Sequence, residues 1–427
     1  MMSRRIAQVI GRRVWDSRGR PTVEAEIVLV GGKRGRAIAP AGASTGSGEA
    51  VDRRDGGARF AGRDVTGAVA SINGEIGAAL AGMDVADQAA LDRRLIDLDG
   101  TPDKSRLGGN ALVAVSLAAL HAAAAESGLP LWQYLAGGRK PILPLPEIQL
   151  FGGGAHAGRR VDIQDFMVIA VGAATFAEAL NMTAEVYRAA GEILGRQGKL
   201  AGVADEGGYW PAFAGNEEGL GLAVAAIEQA GYAPGKDVAI SLDIAASDFG
   251  KGGRYRLARD GRELDTGGMI AMLTGWLTKY PIVSIEDPLA EDDEAGLVAF
   301  TGAAGNRIQV VGDDYIVTNA GRVRRAAMAG ACNTALIKPN QAGTVSETRA
   351  ALDAAAAAGW GAIVSARSGE TEDVSIVHLA VGWGVKQLKV GSFARSERMA
   401  KWNEGLRIAE ALGDGAVPPP AAFPWGR

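Results

Sequence analysis

The sequence predicts an α/β chain in two units: a small N-terminal α+β unit over residues 1–138 and a β/α barrel over residues 139–427. Three observations predict it. Residues 4–39 alternate polar and apolar, as in Thr22-Val-Glu-Ala-Glu-Ile-Val-Leu-Val30, with Gly31-Gly32 as a turn signal. That is the pattern of an antiparallel hairpin or meander. Residues 60–127 then carry helical periodicity, and Gly137-Gly138 with Pro141, Pro144 and Pro146 mark a boundary. From there to about residue 411, short Val- and Ile-rich runs alternate with helix-forming stretches. Such runs read as buried parallel strands in repeated strand–helix units.

Four of these runs stop on charge. Val238-Ala-Ile-Ser-Leu ends at Asp243, Ile282-Val-Ser-Ile at Glu286-Asp287, Ile308-Gln-Val-Val-Gly at Asp313-Asp314, and Ala335-Leu-Ile at Lys338. In a β/α barrel the active site forms at the C-terminal ends of the strands, so these groups are expected on one rim. Three hard oxygen donors without Cys or His favour a Mg²⁺-type ion. A single acid after a strand is as easily a helix cap; four charged ends in series, closing on a lysine, are harder to explain that way.

Bulk composition narrows the class. The chain has 427 residues, 47% hydrophobic and 22% charged, with a net charge of −4. This is an ordinary globular composition, long enough for more than one core. Lys and Arg do not cluster with aromatics, so no nucleic-acid partner is expected. One cysteine, Cys332, excludes a disulfide framework and points to a reduced cytoplasm. No signal peptide is expected behind the basic N-terminus. The most apolar stretch, Ala111 to Ala125, is interrupted by Ser116 and His121 and reads as a buried helix rather than a membrane span.

Of the three histidines, His121 and His378 lie in apolar helical stretches and read as core. His156 sits in Gly152-Gly-Gly-Ala-His-Ala-Gly158, where glycines let backbone approach a ligand. Pro40-Ala-Gly-Ala-Ser-Thr-Gly46 is a second Gly-rich loop, carrying two hydroxyls; by composition alone it reads equally as a linker.

Taken in order, the motifs resemble those of the enolase family. Asp16-Ser-Arg-Gly-Arg-Pro-Thr22 resembles its N-terminal signature. Gly42-Ala-Ser-Thr-Gly46 with Arg54-Asp55-Gly56 resembles its mobile covering loop. Leu98-Asp-Gly-Thr101, His156-Ala-Gly158, Asp205-Glu-Gly-Gly208, Ser284-Ile-Glu-Asp-Pro288, Gly312-Asp-Asp314, Ser368-Gly-Glu-Thr-Glu-Asp373 and Arg395-Ser-Glu-Arg398 follow. The resemblance implies an α+β domain capping a modified (β/α)8 barrel, a homodimer, and dehydration of 2-phosphoglycerate. Carried over by position, Asp243, Glu286 and Asp313 are the expected ligands of one Mg²⁺. A second Mg²⁺ arrives with substrate and is joined by the loop of Ser44. Lys338 is the expected base at C2, its pKa lowered by Mg²⁺ and by Lys389. Glu206 is the acid that helps the C3 hydroxyl leave, with Asp165 beside it. Lys389 and Gln164 are expected on the carboxylate, Arg367 and Ser368 on the phosphate, and His156 near it.

Two positions depart from the family. Asp165 stands where it has glutamate, and Ala366 where it has histidine. Both lie on the leaving-group side, so the pocket is expected to be enlarged there and elimination weakened relative to C2 proton exchange. Two further readings follow. One is a carboxyphosphonoenolpyruvate synthase-like relative, in which phosphonoformate replaces the hydroxyl and Arg159 contacts it. The other is a non-catalytic binding protein.

Overall fold

The computed structural model describes residues 2–413 and 415–426. The chain opens with an antiparallel meander of β1 (Ile6–Trp15), β2 (Pro21–Leu29) and β3 (Arg34–Ile38), in the order β1-β2-β3. β2 is central, and its alternation is spent on two different surroundings. Val23, Ala25, Ile27 and Leu29 are at most 1% exposed and face the core. Glu24 and Glu26, on the other face, are covered by Arg12, Arg34 and Arg36.

The helix Gly109–Glu126 packs on β2 and β3. It is long and apolar enough to cross a membrane, yet 83% of it is buried inside the fold. Its other side faces the barrel: Ser116 Oγ accepts from Val345 N at 2.9 Å, and His121 Nε2 meets Ser375 Oγ at 2.8 Å. A helix buried all round is hydrophobic all round, which is why this stretch shows no amphipathic stripe. The sheet docks on it through Gly35, where a Cβ would stand 2.1 Å from Ala122 N and 2.2 Å from Ala118 O. Both obstacles are backbone and cannot rotate away. Gly35→Ala should therefore destabilise the protein by about 2–3 kcal/mol or more, read as a fall in Tm.

The rest of the chain builds the barrel. Its strands and outliers are β4 (Leu145–Gly152), β5 (Asp165–Ile169), β6 (Leu200–Val203), β7 (Tyr209–Pro211), β8 (Ala239–Asp243), β9 (Gly250–Lys251), β10 (Arg254–Leu257), β11 (Arg262–Asp265), β12 (Ile282–Glu286), β13 (Gln309–Gly312), β14 (Thr334–Ile337), β15 (Gly361–Ser365) and β16 (Gln387–Gly391). Eight of them close a ring, β4-β5-β8-β12-β13-β14-β15-β16 and back to β4. β6 and β7 extend outward from β4, and β9 to β11 form a separate small sheet.

One strand overturns the uniform parallel reading. β5 runs antiparallel to both neighbours, β4 and β8. The consequence is functional. In a reversed strand the first residue, not the last, lies on the C-terminal rim, so Asp165 pairs with Asp243 at the mouth. The Gly-rich loop after β3 is no linker. It is sewn to the segment after β15 by Ala41 and Gly369, which exchange backbone hydrogen bonds of 2.9 Å.

Candidate active site

The rim is built as the strand ends predicted. Asp243 closes β8 and Glu286 closes β12, while Asp313 follows β13 and Lys338 follows β14 directly. Arg367 and Ser368 follow β15 by two and three residues, and Lys389 projects from β16. Ser44, His156, Gln164, Asp165, Glu206, Asp243, Asp313, Lys338, Arg367, Ser368 and Lys389 line one cavity, with Glu286 reached beneath it through Lys389.

Charges in this cavity interlock. Lys389 Nζ donates to Glu286 Oε2 at 2.7 Å and to Asp243 Oδ2 at 2.9 Å. Gln164 Nε2 donates to the same Asp243 oxygen at 2.9 Å. Lys338 Nζ donates to Asp313 Oδ2, and Gln341 Nε2 donates to Asp313 Oδ1 at 2.8 Å. Burial would raise Asp243, but Lys389, Glu286 and Lys338 together outweigh it and hold the carboxyl down at about 2. Glu286 is pushed well above the carboxylate range by burial and by Asp243. Burial favours a neutral Lys338, yet the acids around it, Asp313 foremost and then Glu286, offset this and raise it. A lysine held low, as expected from the sequence, is thus not what the side chains alone produce.

Asp243, Glu286 and Asp313 do not gather on a point by themselves; two ammonium groups lie among them. They nevertheless fit a hard cation. All the donors are oxygen, all are buried, positive charge is already drawn to them, and Glu286 Oε1 has no hydrogen-bond partner. Two other trios, His156–Asp165–Glu206 and Asp287–Asp313–Asp314, have ligand atoms within 4.8 Å of one another.

The leaving-group side differs from expectation. His156 turns its ring between two acids: Nδ1 is 3.3 Å from Asp165 Oδ1 and Nε2 is 3.9 Å from Glu206 Oε1. The cavity is about 20 Å³, room for roughly one water. Asp165 and Ala366 line this cavity together with the His156 imidazole. Arg159 does not line the cavity; its exposed guanidinium lies 3.3 Å from the Asp248 carbonyl oxygen.

Burial alone would lower His156, but Glu206 and then Asp165 outweigh it and raise the imidazole to about 9. Glu206 in turn is raised by burial, with His156 opposing. Burial instead drives His378 down to about 4. Nitrogen NMR of the imidazoles in the metal-free protein should show His156 charged at neutral pH and titrating near 9. A raised group stabilises the fold fully below its unfolded value near 6.5. That stabilisation should fade as pH rises through 9.

The phosphate side is held by partners the sequence did not reveal. Arg367 makes a forked pair with Glu49, at 3.0 and 3.3 Å, and donates to the Ser44 carbonyl oxygen at 2.9 Å. Ser368 Oγ accepts from Ala43 N at 2.6 Å. The covering loop is thus latched down through the residues expected to grip phosphate. Asp287, the second acid of its pair, does not point at the cavity. Its two oxygens accept from Asp313 N at 2.8 Å and Asp314 N at 2.9 Å, and so brace the turn that carries Asp313. The doubled acids Glu286-Asp287 and Asp313-Asp314 were the available signal for that brace. Glu49 and Gln341 left none.

Comparison with known proteins agrees with this architecture. Residues 6–135 match the family model described as "Enolase, N-terminal domain", and residues 140–420 match "Enolase, C-terminal TIM barrel domain". The curated "Enolase" of Rubrobacter xylanophilus is 48% identical over 415 residues, covering 97% of this chain and 96% of that protein. Identity of that extent, over a barrel whose rim carries the motifs in the same order, leaves one conclusion: the chain belongs to the enolase family.

Proposed function

We propose that the chain is a phosphopyruvate hydratase, a carbon–oxygen lyase that removes the C2 proton of 2-phosphoglycerate and expels the C3 hydroxyl to give phosphoenolpyruvate. One observation carries this reading: a single cavity holds both Lys338 and the Glu206–His156 pair, a base and an acid for the two halves of an elimination.

A proton beside a carboxylate is very weakly acidic, and its loss produces a doubly charged ene-diolate. Enolase-superfamily sites are the standing example of a lysine base with one or two Mg²⁺ ions stabilising that charge. Asp243, Glu286 and Asp313 would hold the first ion, which supplies positive charge at the ene-diolate. Lys338 Nζ takes the C2 proton as the neutral amine, a form that would be favoured once Asp313 turns its charge to the cation and no longer holds the ammonium. Glu206, its carboxyl raised by burial, gives a proton to the departing hydroxyl. His156, braced by Asp165, orients that acid. Lys389 and Gln164 meet the substrate carboxylate. Arg367 exchanges the Glu49 carboxylate for the substrate phosphate, which its planar fork suits equally. Ser368 assists, and the loop of Ser44 excludes water.

We extend the same reading to a second, substrate-borne Mg²⁺, a homodimer, a boundary at 138/139 and a cytoplasmic location. The last is supported by a single buried thiol, Cys332. Nothing favours a bulkier second reactant. The matched relative and family models are enolases.

The test is to supply the purified protein with Mg²⁺ and 2-phosphoglycerate and follow phosphorus NMR. Phosphoenolpyruvate should accumulate, and its formation should stop when Mg²⁺ is chelated. Exchange of the C2 proton with solvent deuterium but no phosphoenolpyruvate would sink the assignment.

A further inference from the structure

We propose that Gln149 is a positioning residue for the elimination step. Its amide ties Asp165 and the turn that carries Glu206 into one unit. The inference rests on the proposed hydratase reading for what that unit does, but not for its existence.

Gln149 lies on β4, 1% exposed, and neither end of its amide is idle. Nε2 donates to Asp165 Oδ1, and Oε1 accepts from Gly208 N at 2.8 Å. The orientation is fixed by Gly208, because a backbone N–H only donates and so must face Oε1. Gly208 closes a tight turn over Glu206: Ala204 N donates to Gly208 O at 2.8 Å, and Gly207 N to Ala204 O at 3.1 Å. Contact is close enough that a Cβ at Gly208 would stand 2.6 Å from Gln149 Oε1. Gln149 therefore sets the distance between the Asp165 carboxylate and the backbone that aims Glu206.

The same bond decides which oxygen of Asp165 is free. Oδ1 is taken by Gln149 and by His156 Nδ1 at 3.3 Å. Oδ2 is buried without a hydrogen bond, its nearest cation being Lys389 at 3.7 Å. That leaves one acceptor pointed at neither partner, available to the C3 hydroxyl. Release of Gln149 would let the short Asp165 side chain rotate and the Glu206 turn drift. A misplacement of about 1 Å costs about 100-fold in rate.

The test uses two variants of the full chain. Gln149→Met keeps length and loses both bonds. Gln149→Glu keeps the bond to Gly208 N and sets a carboxylate against Asp165. Deuterium exchange at C2 and phosphoenolpyruvate formation are measured side by side on each folded variant, with KM for 2-phosphoglycerate. Exchange and KM should stay within about threefold of wild type while elimination falls about 10–100-fold. A second readout needs no activity. With a donor lost from Asp165 Oδ1, the His156 imidazole, which faces Glu206, Asp165 and Asp243, should titrate higher in both variants. Equal loss of exchange and elimination, or an unmoved His156 resonance, overturns the role. Wild type that forms no phosphoenolpyruvate removes the hydratase reading instead, and the His156 readout still decides on Gln149.

Discussion

Lys338→Ala is expected to lower exchange of the C2 proton with solvent by about 10⁴-fold, the upper end of what a positioned base contributes. The alanine variant alone is a poor test, because it also strips Asp313 of its cation. Removing one partner of a buried pair leaves an uncompensated charge and costs about 3–5 kcal/mol. Lys338→Arg separates the two effects. Arginine keeps a cation beside Asp313 but cannot lose its proton in a protein. The arginine variant should fold with a Tm close to wild type and still fail to exchange C2. Glu206→Gln should do the reverse, sparing exchange and blocking loss of the hydroxyl. Measurable exchange in Lys338→Arg, or equal loss of exchange in the Glu206 variant, would contradict the assignment of the two residues to different steps.

The second large effect concerns Asp243. Three donors converge on its carboxylate: Lys389 Nζ, Gln164 Nε2 and, at 3.0 Å, Ala245 N. Asp243→Asn keeps the shape and removes the charge. Mg²⁺ affinity should fall by at least about 100-fold, read by calorimetry, since even an outer-shell partner is worth about 10–100-fold. Turnover should fall about 10³-fold, as when a preorganised electrostatic contact is lost. The sign of the pH dependence is also determined. A carboxyl held down at about 2 stabilises the fold at pH above its unfolded value near 3.8, and loses that contribution as pH falls toward 2. Wild type and Asp243→Asn should therefore differ most in stability above pH 4 and converge in strong acid. Unchanged Mg²⁺ affinity in the variant would remove Asp243 from the metal site.

Much of this site was legible because barrels convert local pattern into position. An apolar run that ends on charge needs no knowledge of the rest of the chain to place its last residue at the C-terminal rim. Asp243, Glu286, Asp313 and Lys338 were readable on that ground alone, and the motifs around His156, Glu206 and Arg367 supplied the rest through resemblance. The largely apolar helix Gly109–Glu126 was likewise readable as buried, because Ser116 and His121 interrupt the run from Ala111 to Ala125.

Direction and partnership were not legible. β5 has the composition of any buried strand, and only its hydrogen bonds to β4 and β8 show that it is reversed. The pairing of Arg367 with Glu49 joins residues 318 apart in the chain. The clamp of Gln149 joins Asp165 to Gly208 across three segments. The motif around His156 did not show that its ring lies between Asp165 and Glu206. The sign of the Lys338 shift turned on Asp313, which burial alone would not have predicted. The sequence by itself thus determined that Asp243, Glu286, Asp313 and Lys338 reach the rim, since strand period and strand ends are local properties of the backbone. Only the tertiary structure decided what each of them touches, because Coulomb and hydrogen-bond energies depend on distances that sequence separation does not encode.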